Sequence, residues 1–103
     1  MNYIYEKNRI YVNNEEGKMI VEATFPLIKE GVVVIDHTFV DPSLRGQGVA
    51  SELMHNVYQH VKKQGLKAVA TCPYAVVWFK KHQEQTDIID EETQATLAPE
   101  CRI

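Results

Sequence analysis

Between Val32 and Cys72 the hydrophobic period changes twice, and this change restricts the possible folds more than any other feature of the chain. Residues Val32 to Val40 (VVVIDHTFV) run three valines and an isoleucine together before polar residues appear, as a buried strand does. From Val49 the apolar residues Val49, Ala50, Leu53, Met54, Val57, Tyr58 and Val61 recur at spacings of three and four. Glu52, His55, Asn56, Gln59, His60, Lys62 and Lys63 take the other face, where both histidines are expected to be solvated. This is a helix laid against a sheet and stopped by Gly65. Leu66 to Cys72 (LKAVATC) is strand-like again, so the order strand, helix, strand predicts two parallel strands joined by a right-handed crossover.

Upstream, Tyr3, Tyr5, Ile10 and Val12 lie in a β-prone stretch that ends at Asn13-Asn14-Glu15-Glu16-Gly17, a tract suited to a hairpin turn. Met19 to Phe25 forms the next strand, closed by Pro26 and the Lys29-Glu30-Gly31 cluster. With Val32 to Val40 this makes three strands joined by short turns, for which an antiparallel meander is the simplest pairing. Downstream, Pro73 suits the first turn of a second helix through Tyr74, Val77, Trp78 and Lys81. The expected class is α+β: an antiparallel three-strand meander, a helix, a parallel fourth strand and a second helix. Residues 84–103 are polar and acidic with Ile88 and Ile89 as their apolar anchor, and are read as a loosely docked tail.

Length and charge exclude several functions. At 103 residues, 45% hydrophobic and 24% charged, the chain is expected to be one domain, residues 1–103, burying roughly 60 to 70% of its unfolded surface. No apolar run approaches the roughly 20 residues of a membrane helix, and the N-terminal MNYIYEKNR lacks the apolar stretch of a secretion signal. A cytoplasmic protein without a membrane partner is expected. Cys72 and Cys101 follow no metal spacing and read as free thiols in a reducing compartment. A net charge of −3 without a Lys/Arg stripe argues against nucleic acid.

The junction VDPSLRGQGVA then asks for a mechanism. A helix N-terminus carries about half a positive charge and unpaired N–H groups, and glycines let a phosphate approach the main chain. Arg45 to Ala50 can therefore cradle an anion, although Gly46 and Gly48 also suit a plain tight turn. No Gly-Lys-Ser/Thr follows for a Walker loop, and Ser51 sits where a dinucleotide fingerprint needs its third glycine.

Arg45, Gly48 and Ala50 fit Gln/Arg-x-x-Gly-x-Gly/Ala, and the stretch resembles motif A of the GCN5-related N-acetyltransferase (GNAT) superfamily. IDHTFV, LRGQGVA and TCPYAVVWFKKH, in this order and spacing, resemble its short YjdJ-like branch. The resemblance runs from about Tyr3 to His82. It implies acetyl-CoA as cofactor and CoA as product, with the pyrophosphate on the main chain of Arg45, Gly46, Gln47, Gly48, Val49 and Ala50. The pantetheine arm would pair with backbone near Phe39 and Val40, where the Val32 to Val40 strand splays from the Lys67 to Thr71 strand. Arg45 would add charge at the phosphates, with an ion pair at the helix start as the rival role.

Acetyl transfer to an amine needs a neutral nucleophile, a held carbonyl and a proton for the departing thiolate. The YjdJ-like pattern reads Asp-His-Thr-Glu-Val, so Phe39 stands where a glutamate base is expected. Side chains alternate along a strand, so only one of Asp36 and His37 faces the cofactor. His37, with an ordinary pKa near 6.5, is the better base. Cys72 ends the parallel strand at the splay, as nucleophile, proton donor or core residue. Tyr74 opens the next helix where the resemblance implies a proton donor to CoA, with core packing as its alternative. Trp78 and Phe79 read as core or as a wall for pantetheine. Only a turn separates the first two strands, where larger relatives insert helices that shape the acceptor site, so the acceptor stays unnamed. Two functions follow: an acetyl-CoA-dependent N-acetyltransferase, or a module that binds acetyl-CoA or CoA with weak or lost turnover, which Phe39 favours.

Overall fold

The computed structural model describes residues 1–101 and 103. Its first strands are β1 (Ile4–Glu6) and β2 (Arg9–Asn13), antiparallel, with Tyr5 opposite Ile10 and Glu6 opposite Arg9. The first β-prone stretch therefore folds back on itself at Lys7 and Asn8. Asn14 turns the chain into β3 (Met19–Thr24): its Oδ1 accepts the N–H groups of Glu16 and Lys18, both at 2.9 Å, and Gly17 supplies a φ of 81°. A short strand not expected from the sequence, β4 (Leu27–Lys29), follows Pro26 and pairs antiparallel with β5 (Val32–Ile35).

The expected Val32 to Val40 strand is split at Asp36. β5 pairs parallel with β7 (Lys67–Ala70), in register from Val32 opposite Lys67 to Ile35 opposite Ala70. The continuation, β6 (His37–Val40), instead pairs antiparallel with β3, with Glu22 opposite Phe39 and Thr24 opposite His37. At the break Asp36 is tied to Thr24 twice, N–H to carbonyl at 3.3 Å and Thr24 Oγ1 to Asp36 Oδ1 at 2.6 Å. Two sheets result, in the orders β1-β2-β3-β6 and β4-β5-β7. The meander survives as β2-β3-β6, and the parallel pair as β5-β7.

Helix α1 (Val49–Lys63) buries Val49, Leu53, Met54, Val57, Tyr58 and Val61 against both sheets. Truncating one of these, such as Leu53 to Ala, costs about 2 to 5 kcal/mol through lost contacts and a cavity. Its end is a two-bond stop: Leu66 N–H reaches Val61 O at 3.1 Å, Gly65 N–H reaches Lys62 O at 3.0 Å, and Gly65 takes the left-handed φ of 71° that this turn needs. Helix α2 (Pro73–Lys81) packs beside α1, Trp78 Nε1 donating to Ser51 Oγ at 3.1 Å. The two helical histidines are engaged, not solvated. His60 Nε2 lies 3.1 Å from Glu6 O with its ring edge-on to Phe25, and His55 meets the Trp78 ring at 4.9 Å. Imidazole is flat and half apolar, which lets it close the margin of a core.

The expectation of a loosely docked tail is corrected. Ile88 and Ile89 are buried, Ile89 bridges Ala68, and Asp90 N–H donates to Ala68 O at 2.9 Å. Helix α3 (Glu91–Leu97), capped by Asp90 on Thr93 N–H, then carries Gln94 against β7. Gln94 Oε1 accepts Ala70 N–H at 2.7 Å and Gln94 Nε2 donates to Ala70 O at 2.8 Å. The physical reason is the sheet edge: β7 presents unpaired backbone groups on the side away from β5, and the tail satisfies them.

Candidate functional site

Because β5 stays with β7 while β6 leaves with β3, a gap opens between β6 and the end of β7. It closes at the Asp36 end, where Ile35 O accepts both Thr71 N–H and Cys72 N–H at 3.1 Å. Asp41 N–H donates to Ile20 O at 2.8 Å, which fixes the phase of the β3-β6 ladder. Antiparallel alternation then turns the backbone groups of Val40 and Thr38 away from β3, toward the gap.

At its wide end the gap meets the glycine loop. Asp41 caps the single turn Pro42–Leu44 through its side chain on Ser43 N–H at 2.9 Å, and this bond holds its carboxyl below the usual aspartate range. Gly46 and Gly48 take φ of 80° and 73°, and a Cβ built on either meets no atom within 4 Å. Gly48 is the N-cap of α1 and supplies no side-chain bond, so the first N–H groups of a fifteen-residue helix have no cap. A cleft of about 290 Å³ lies there, lined by Val40, Leu44, Arg45, Gly46, Gly48, Val49, Ala50, Ser51 and Tyr74. Six of the eight residues expected around the cofactor line it. Gln47 and Phe39 do not, and the backbone groups of Phe39, expected to pair with the pantetheine arm, face β3 instead. Arg45 is exposed and has no ion pair among the described residues, so the rival role at the helix start finds no partner.

The three catalytic candidates do not form one cluster. Tyr74, in the first turn of α2, lines the cleft, and burial pushes its phenol above the ordinary 10.0. Cys72 precedes α2 as its N-cap, 7% exposed, with Sγ 3.3 Å from Thr38 Oγ1. His37 belongs to the opposite face of β6. Its side chain is half exposed, and Nε2 lies 3.3 Å from Glu22 Oε1. His37 therefore does not share a cleft with Cys72: Thr38, its neighbour along β6, faces the thiol, and the imidazole lies on the other face of the strand. Sequence reading missed Thr38 and Glu22. The signal for Glu22 was a carboxylate in the middle of MIVEATF, and its meaning depended on which strand lies alongside.

Residues 9–88 match the sequence pattern of the family described as GCN5-related N-acetyl-transferase. The chain belongs to the GCN5-related N-acetyltransferases. It is by family an acyltransferase, and its α+β architecture agrees with solved relatives. One is a GCN5-like protein from Staphylococcus aureus, 28% identical, with a TM-score of 0.71 over 85% of this chain and 86% of that one. An acetyltransferase from Bacillus cereus is 26% identical, with a TM-score of 0.57 over 79% of this chain and 56% of that one. GCN5 of Tetrahymena, 19% identical with a TM-score of 0.59, shares the fold over 77% of this chain and 57% of its own. This N-acetyltransferase spans a little over half the length of the last two. Among curated proteins none matches it. No helix among its described residues is long and apolar enough to cross a membrane.

Proposed function

We propose that this N-acetyltransferase uses acetyl-CoA to acetylate an amine. One observation carries the reading: an uncapped helix N-terminus with two left-handed glycines opens into a cleft that reaches Val40 at the end of β6. The residues present fit the cofactor. The space beside Gly46 and Gly48 is the space a Cβ would fill, and the N–H groups of Val49, Ala50 and Ser51 supply donors for a pyrophosphate. Arg45 adds a cation at the same end. Val40 and Thr38 offer backbone groups to an amide-bearing arm, as a neighbouring strand would.

Acetyl-CoA brings, when bound, an acyl group activated as a thioester. The chain's part is to hold it and manage charge. The Tyr74 phenol is protonated at neutral pH already at its ordinary value of 10.0, burial raises it further, and it can donate a hydrogen bond to negative charge developing on sulfur. Cys72 stands at the closed end of the gap, where Thr38 orients its thiol.

The test is acetyl-CoA binding by calorimetry. Gly48→Asn keeps a residue that tolerates left-handed backbone but fills the cradle. Affinity is expected to fall at least tenfold in a folded variant, and unchanged affinity would sink the cradle. A binding module without turnover is the second reading, favoured by Phe39, whose exposed ring brings no acid or base to the strand. It predicts tight binding with no acceptor-dependent release of CoA.

A further inference from the structure

On the bare face of the four-stranded sheet, opposite α1, the side chains of Arg9, Glu22 and His37 meet. Arg9 Nε donates to Glu22 Oε2 at 2.6 Å, and its guanidinium stacks 3.8 Å above the Tyr11 ring. Glu22 Oε1 lies 3.3 Å from His37 Nε2. The Glu22 side chain is only 17% exposed, which is low for a carboxylate on an open sheet face, and each of its oxygens has its own nitrogen partner. Asp36, the other acid beside His37, is occupied with Thr24. His37 Nδ1 has no hydrogen-bond partner among the described residues. His37 is also the first residue of β6 after the break, at the closed end of the gap. The strand from there to Val40 spans on the order of 10 Å, so the imidazole stands about that far along β6 from the anion cradle, on the other face of the sheet.

We propose that Glu22 and His37 form the base of the transfer reaction: Glu22 is a positioning residue that holds Nε2, and His37 Nδ1 is the catalytic atom that takes a proton from the acceptor amine. This rests on the acetyl-CoA reading above. An ammonium loses two protons on becoming an amide. The first passes to Nδ1 and on to solvent, which frees the nitrogen lone pair. The second leaves with the departing sulfur as the C–N bond forms and the C–S bond breaks. The step matters because an alkylamine of pKa about 10.4 is neutral in only about one molecule in 2,500 at pH 7. A fixed imidazole is suited to the task, since one nitrogen anchored by a carboxylate leaves the other with its lone pair aimed outward.

The test uses n-butylamine as acceptor and N-butylacetamide as product, beside calorimetric binding of acetyl-CoA. His37→Ala is expected to lower kcat about 100-fold or more with acetyl-CoA affinity unchanged. Added imidazole should restore at least tenfold of this loss, beyond what imidazole gives without protein. Glu22→Ala is expected to lower kcat about tenfold with KM for acetyl-CoA unchanged. The ring ¹⁵N spectrum of the protein alone gives a second readout: neutral His37 should carry its proton on Nε2, and Glu22→Ala should mix the tautomers. Wild-type turnover in a folded His37→Ala, no rescue by imidazole, or a ring proton on Nδ1 would each overturn the proposal. So would a wild-type protein that binds acetyl-CoA yet forms no N-butylacetamide. Failure to bind acetyl-CoA removes the cofactor reading instead, and the ring spectrum still decides whether Glu22 holds His37.

Discussion

Thr38 separates two chemistries within one strand. Its hydroxyl lies against Cys72 Sγ, while the residues on either side of it, His37 and Phe39, point to the bare face of the sheet. Cys72 must therefore act without the imidazole if it acts at all. Its thiol ends β7 where the gap closes, and thioester exchange needs only a thiolate and a leaving thiolate of similar basicity. We expect acetyl-CoA to leave one acetyl group on Cys72, the new C–S bond forming as the old one breaks and the thiol proton passing to the departing sulfur. Intact mass after an acid quench, mapped by digestion, reads it. The group should vanish in Cys72→Ser, and Cys101, whose carbonyl is bound to Gln94 in the tail, is the internal control. An unmodified Cys72, with full turnover in Cys72→Ser, makes it a packing residue.

Elements were legible in proportion to how local their causes are. The change of period from Val40 to Val49, the stop at Gly65 and the start at Pro73 are written in neighbouring residues, and α1, α2, β7 and the meander appear where these signals lie. The break at Asp36 is not written locally. VVVIDHTFV reads as one strand because side-chain pattern reports burial, whereas the break records a change of hydrogen-bonding partner. The contact of Glu22 with His37 depends in the same way on the register between β3 and β6. Docking of the tail was illegible for a third reason, since one amide side chain satisfies backbone groups 24 residues away. Gln94 consequently carries a strong prediction. Gln94→Leu keeps the volume but strands the N–H and C=O of Ala70, at a cost of about 2 to 4 kcal/mol. A lower midpoint in urea with unchanged slope would register it, and amide exchange at Ala70 should quicken. A midpoint within error of wild type would mean that water replaces the clamp.

At the scale of the whole molecule, the tail is also pinned to α1. Lys62 Nζ donates to Asp87 Oδ2 at 2.7 Å and Tyr58 O–H donates to Asp87 Oδ1 at 2.8 Å. These bonds, that from Lys62 foremost, hold the Asp87 carboxyl below the ordinary aspartate value of 3.8. A carboxyl whose pKa is depressed by folding contributes stability that is complete above its unfolded value and is lost as pH falls through the folded one. The thermal midpoint of wild type should therefore exceed that of Asp87→Asn at neutral pH, with the difference shrinking below about pH 4. Both groups are largely exposed, so high salt should shrink it too. A difference that is constant down to pH 2 would assign the link to shape instead of charge.

The split strand has one more consequence, for the order of events during turnover. The cradle and its cleft are reached from the edge where α1 and α2 begin, whereas His37 and Glu22 look out from the opposite, bare face of the sheet. A molecule arriving at one side does not cross the path of a molecule held from the other. The gap is a window with two sides, and on the acetyl-CoA reading proposed above donor and acceptor would enter from opposite faces, in either order.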